Sequence, residues 1–177
     1  MKHIIKDIDN VKNKKIHKSE TRVKMFILNN KDEFIMVSAF DGLQLPGGHV
    51  ENNEDLSLAV IREVEEETGI KLTTKETPEP FCNIETYSKL SSKVNSLSSI
   101  FYYYIETDKA VNLTKRNLTE HEKKNNYSIQ HVKKENFEKV LETIISSCPN
   151  PGSRIVAGET LFAYKTFIEL TEKVQEL

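Results

Sequence analysis

Runs of apolar residues set off by polar ones mark the strands of this chain. Arg22 to Leu28 and Glu33 to Ser38 are alternating, β-branched or aromatic runs, and Asn29-Asn30-Lys31-Asp32 between them has the composition of a hairpin turn. Phe81 to Tyr87 and Ser99 to Glu106 read as further strands, the second holding Phe101-Tyr102-Tyr103-Tyr104. The polar stretch Lys89 to Ser99 reads as a loop, and Tyr127 to Val132 as a short strand. Lys134 to Ile145 spaces Phe137, Val140, Leu141 and Ile144 along one helical face. Cys148 to Gly152 is a break rich in proline, and the helix expected from Ser153 to Glu172 sets Ala157, Leu161, Tyr164 and Ile168 on one side for packing. Residues 1–20 are basic and mildly amphipathic, an arm or an extra strand, ahead of one domain over residues 21–177. The alternation of strands and helices predicts an α/β fold.

Between the first strands and the Phe81 run lies a helix of a different kind. Leu45-Pro46-Gly47-Gly48 is a tight loop, Asn52 and Asn53 suit a helix start near Glu54, and Thr68-Gly69 stops the helix. On the wheel, Leu56, Ala59, Val60 and Val64 share a side with Glu63 and Glu67, whereas Glu54 and Glu65 fall roughly opposite. Glu63, Glu66 and Glu67 stand at i, i+3 and i+4, so they project from one side. Residues 51–67 hold seven acidic side chains against one basic one, Arg62. Like charges gathered near a buried face are costly in desolvation and repulsion, and a hard divalent cation resolves that conflict.

Gly48, then five residues, Glu54, then seven residues and Arg62-Glu63-Val64-Glu65-Glu66-Glu67-Thr68-Gly69-Ile70 matches every fixed position of the signature of the Nudix hydrolases, which this segment resembles. Outside it the resemblance is confined to the order of strands and helices and to Leu118-Thr119-Glu120. The resemblance implies an α/β/α sandwich with a mixed central sheet. It also implies hydrolysis of a diphosphate linkage in a nucleoside diphosphate joined to a group X (a nucleoside triphosphate, dinucleoside polyphosphate or nucleotide sugar), with Mg2+ or Mn2+ and water attack at phosphorus. Carried over by position, Glu63, Glu66 and Glu67 are metal ligands, together with the Gly47 carbonyl. Glu63 also orients or deprotonates water, and Arg62 holds it. Gly48, Glu54 and Gly69 are structural, and Glu120 or Glu122 is a candidate for a further ligand or base. A non-catalytic nucleotide-binding regulatory module on the same fold is the competing expectation, and the intact carboxylate set speaks against it.

Composition narrows the partners more than the chemistry. A formal charge of −2 gives no broad nucleic-acid footprint, and only four of the 25 basic residues are arginine. Cys82 and Cys148 are expected as free thiols, and no apolar run resembles a signal peptide or a membrane span, so a cytoplasmic protein is expected. A homodimer is expected from family habit. The chain lacks the longer family signatures for NADH and coenzyme A, and Glu85 stands where some ADP-ribose hydrolases carry proline. Tyr87 resembles a tyrosine of some dinucleoside polyphosphate hydrolases, and Leu43 stands near the place of a frequent tryptophan. Phe40, Tyr102 and Tyr104 are the rings left to stack on a base, and His49 sits in the loop within reach of a phosphate.

Overall fold

A computed structural model describes residues 1–175. Its centre is a seven-stranded mixed sheet of β1 (Lys2–Asp7), β2 (Lys18–Asn29), β3 (Glu33–Ala39), β4 (Gly42–Gln44), β5 (Cys82–Ser91), β6 (Val94–Thr107) and β7 (Ser128–Lys133). The strand order is β1-β5-β6-β2-β3-β4, with β7 paired to the other edge of β3. Helix α1 (Leu56–Thr68) covers one face of the sheet, α3 (Phe137–Ser147) and α4 (Pro151–Gln175) cover the other, and α2 (Glu120–Lys124) is a single turn between β6 and β7. The arrangement is the α/β/α sandwich expected from the sequence.

The two faces follow from strand alternation. In β2, Val23, Met25 and Ile27 point to α1, where they meet Ala59, Val60 and Val64. Phe26 and Leu28 point the other way, into a cluster with Phe34, Phe137 and Tyr164, whose rings pack at 4.4–6.1 Å between centroids. Each such ring taken out of water contributes about 1.5–3 kcal/mol.

What positions the site is an incomplete edge. Strand β2 pairs with β6 along its whole length, residues 18–29 against 96–107, but meets β3 only at Leu28 opposite Phe34. The vacant edge is filled by the glycine loop. Met25 N donates to Pro46 O (2.9 Å), Val23 N to Gly48 O (3.0 Å) and Val50 N to Thr21 O (2.9 Å). The loop before α1 is therefore built onto the central strand of the sheet.

Several boundaries depart from the sequence reading. Residues 89–99 are a hairpin between β5 and β6 and not a loop: Ser88 faces Ser96, Lys89 faces Asn95, and the turn falls between Ser91 and Val94. Polar residues hold strand there because partners satisfy the backbone, including Asp9 Oδ2, which accepts from Lys89 N (2.7 Å), and His17 Nδ1, which accepts from Asn95 N (3.1 Å). Helix α1 starts at Leu56, two residues past Glu54, because Asp55 is the cap: its carboxylate accepts from Ser57 N (2.8 Å) and Ser57 Oγ (2.6 Å). Asn53 takes the left-handed conformation just ahead of it, at φ 63°. Helix α3 begins at Phe137, after a 3-10 turn over Lys134–Asn136. Helix α4 begins at Pro151, inside the expected break, since proline suits a first helical turn and Asn150 Oδ1 accepts from Ser153 N (3.1 Å).

Candidate active site

Asp55 and Gly69 bound a helix whose buried residues are Ala59, Val60, Glu63, Val64, Glu67 and Thr68. Two of the three spaced glutamates therefore face inward. Glu67 is only 2% exposed, and its Oε2 accepts from Gly47 N at 2.8 Å. Glu63 is 9% exposed and packs against Gly48 so closely that a methyl group there would collide with its carboxylate. Glu66 lies nearer the surface.

Arg62 ties this set together. Its Nε and one terminal nitrogen bind both Glu54 oxygens (2.8 and 2.9 Å), and that same nitrogen donates to His49 O (3.0 Å). The other terminal nitrogen bridges Glu63 Oε1 (2.7 Å) and Glu66 Oε2 (3.2 Å). Glu54, left outside the helix by the cap at Asp55, anchors the guanidinium from the loop side. Only a planar fork serves so many acceptors at once. Arg62→Lys should therefore lower kcat about 10- to 100-fold, the range of a lost supporting contact around a metal site, with a smaller change in KM. Steady-state kinetics check this, and an unchanged kcat would remove Arg62 from the machinery.

The far end of the helix is locked by the segment after β6. Asn117 N donates to Glu66 O (2.9 Å), Arg116 Nε to Glu67 O (2.6 Å) and Asn112 N to Thr68 O (3.0 Å), satisfying carbonyls that a helix end leaves bare. Gly69, at φ 70°, closes the turn with its N–H on Glu65 O (2.8 Å). Arg116 also donates to Tyr127 O (3.0 Å), which links this lock to the approach to β7.

Lys24, a residue not singled out from the sequence, sits at the centre. It projects from β2 and donates to Leu45 O (2.9 Å) and to Gly47 O (2.5 Å), the carbonyl expected to face a metal. Burial pushes the Lys24 pKa down and the Glu67 pKa up to about 7, while the attraction between the two groups opposes both shifts. The signal in the sequence is a lone cation in the otherwise apolar run Val23 to Leu28. Among the described residues, no group of three acidic, histidine or cysteine side chains is arranged to hold a metal ion as it stands. In this arrangement Arg62 binds Glu63 and Glu66, the Gly47 N–H donates to Glu67, and Lys24 donates to the Gly47 carbonyl.

Other expectations fare differently. Glu120 is an exposed partner of Lys123, and Glu122 spends its carboxylate on the Thr119 capping box, though its charge also raises the Glu67 pKa. Tyr102 is buried in the core, and Tyr104 is stacked on Phe167 at 4.1 Å, so neither ring is free for a base. Phe40 is 41% exposed beside His121 and Tyr127. His49 faces Glu20 at 3.5 Å. Tyr87 lies on β5, opposite Asp7 of β1, and donates to Glu85 (3.1 Å). Both cysteines are free and buried, and no helix among the described residues is long and apolar enough to cross a membrane.

A family model for the NUDIX domain matches residues 18–146. The chain belongs to the Nudix family. It is a Nudix pyrophosphohydrolase by that membership, and the match takes in β2, the glycine loop and the whole of α1. One solved structure agrees in fold, and others are similar at lower scores. A MutT protein from Bacillus halodurans shares 16% identity over 80% of this chain and 82% of its own, with a TM-score of 0.51. A MutT protein from Methanosarcina mazei shares 20% over 84% and 96%, with a TM-score of 0.45, and an Ap4A hydrolase from C. elegans shares 15% over 87% and 98%, with a TM-score of 0.49. The curated proteins contain no match to the sequence.

Proposed function

We propose that this Nudix chain hydrolyses a diphosphate linkage in a nucleoside diphosphate joined to a group X, using a divalent cation of the magnesium or manganese type and water as the nucleophile. One observation carries the reading: Glu63 and Glu67, both buried, meet the Gly47-Gly48 loop, and Arg62 joins Glu66 to Glu63 beside them. The donor set fits a hard cation, since all of its atoms are oxygens. Glu63, Glu66, Glu67 and the Gly47 carbonyl would hold it, once the contacts that now occupy them are exchanged. Such a cation supplies neutralisation of the diphosphate charge and acidifies water.

The chain's own residues do the rest. Glu63 is placed to accept a proton from the attacking water, since burial raises its pKa while Arg62 keeps it oriented. Glu67 holds the loop through Gly47 N–H, so the glycine backbone stays close to the carboxylates. Lys24 brings a cation to the same loop from the opposite side. The intact set argues against a purely regulatory nucleotide-binding module, which has no use for an oriented base.

The test is a panel of nucleoside triphosphates, dinucleoside polyphosphates and nucleotide sugars with Mg2+ or Mn2+, with products separated and oxygen-labelled water used to find the attacked phosphorus. Label is expected in a phosphate product of at least one class. Absence of cleavage across the panel would sink the proposed reaction.

A pH prediction follows from burial. The carboxyls of Glu63, Glu67 and Glu159 are all raised, Glu67 to about 7, so the folded chain holds these protons more tightly than the unfolded one. The stability they contribute is complete below the ordinary carboxyl value near 4.5 and is lost as pH rises through each raised value, which for Glu67 is about 7. In chelator the melting temperature should therefore fall between pH 5 and pH 8, and Glu67→Gln should flatten that slope. A melting temperature that rises across this interval would contradict the assignment.

A further inference from the structure

On the sheet face opposite α1, a cleft runs between β2, β6 and the first turns of α4. One part, about 360 Å3, is lined by Ile8, Arg22, Ser98, Leu90, Ile155 and Glu159 among others. A narrower part continues along Arg22, Lys24, Leu45 and Glu159, so the cleft ends at the lysine that touches the Gly47 carbonyl. Two polar groups inside are unspent. Arg22 Nε is buried with no hydrogen-bond partner among the described residues, although a terminal nitrogen of the same guanidinium donates to Ser98 Oγ (3.0 Å) and lies 3.4 Å from Glu20. Glu159 is half-buried with its pKa raised by burial, and charges at Arg22, Lys6 and Lys24 draw it back, but no hydrogen bond does. A buried donor left bare is uncommon in a native fold, and here an unpaired carboxylate lines the same cleft. At the mouth, Ile8, Leu90 and Ile155 are 58–66% exposed, an apolar rim around that polar interior.

We infer that Arg22 and Glu159 are a specificity-determining pair that reads the polar edge of a planar heterocycle, the base of the nucleotide substrate, whose faces lie against the apolar rim. The inference rests on the proposed diphosphate hydrolysis for its ligand class. The fit is chemical: guanidinium only donates and carboxylate only accepts, so the pair suits an edge that carries an acceptor beside an N–H donor. The volume suits one ring system and its sugar. At the inner end of the cleft, Lys24 touches the glycine loop that packs against Glu63 and Glu67 of α1.

The experiment needs neither metal nor turnover. The four nucleoside 5′-monophosphates are titrated in chelator into the full chain and followed by amide NMR. At least one should shift signals of Ile8, Ser98 and Ile155, and Arg22→Met and Glu159→Gln should each weaken that binding about tenfold or more. Arg22→Lys, which keeps the charge but lacks the Nε donor, should weaken it too, and unchanged spectra elsewhere show that each variant folds. Monophosphates that shift only the glycine loop, or bind the cleft equally well in all three variants, would overturn the pair's role. Binding in the cleft with no cleavage of any diphosphate would leave the pair standing and remove the proposed reaction instead.

Discussion

Glu67→Gln is expected to lower kcat on the order of a thousandfold while the protein stays folded. The amide keeps the oxygen that accepts from Gly47 N, so the loop geometry survives, but the negative charge that a cation needs is gone. The folded state loses little, because burial already pushes the Glu67 pKa up to about 7. Lys24 keeps its two carbonyl acceptors. Product release and a thermal melt, both at pH 8, separate the two effects. Activity within tenfold of the parent would show that Glu67 is a structural acid only.

The largest effect on stability is expected at Gly47. Its φ of +134° is hostile to any side chain, and a Cβ there would collide with the Val23 carbonyl oxygen and fall 2.9 Å from Lys24 Cα. Both atoms belong to the backbone of β2, held along its length by β6, so neither can yield cheaply. Gly47→Ala should cost about 3 kcal/mol or more in urea unfolding and take activity with it. Gly158 is the control. It sits in α4 with open space for 4 Å around the place a Cβ would take, so Gly158→Ala should be neutral or stabilising by up to about 1 kcal/mol. A loss below about 1 kcal/mol at Gly47 would mean that the loop moves freely against the strand.

The local part of this architecture is written in local sequence. Helix α1, the inward turn of Glu63 and Glu67 and the stop at Gly69 come from periodicity and glycine chemistry within one stretch, so they can be read without a fold. What escapes is whatever depends on pairing between distant segments. The polar hairpin across Ser91–Val94 reads as loop because its stability lies in partners from residues 9–17. Tyr102 reads as an available ring because only the packing of α3 and α4 buries its face of the sheet. Arg116 belongs to the site only because the chain returns to the end of α1. Arg22 and Glu159 have no sequence relation at all and line one cleft because α4 packs against β2. Lys24 lies between these cases: its oddity shows in the strand, its role only in the contact with Gly47 O.

The most direct measurement is a titration of Mn2+ into the metal-free chain, followed by electron paramagnetic resonance, for the parent and for a Glu63→Gln, Glu67→Gln double variant. The parent is expected to retain the ion, and the double variant, folded by circular dichroism, to lose it. Equal retention by both would place the cation elsewhere and contradict the assignment of these carboxylates as its ligands.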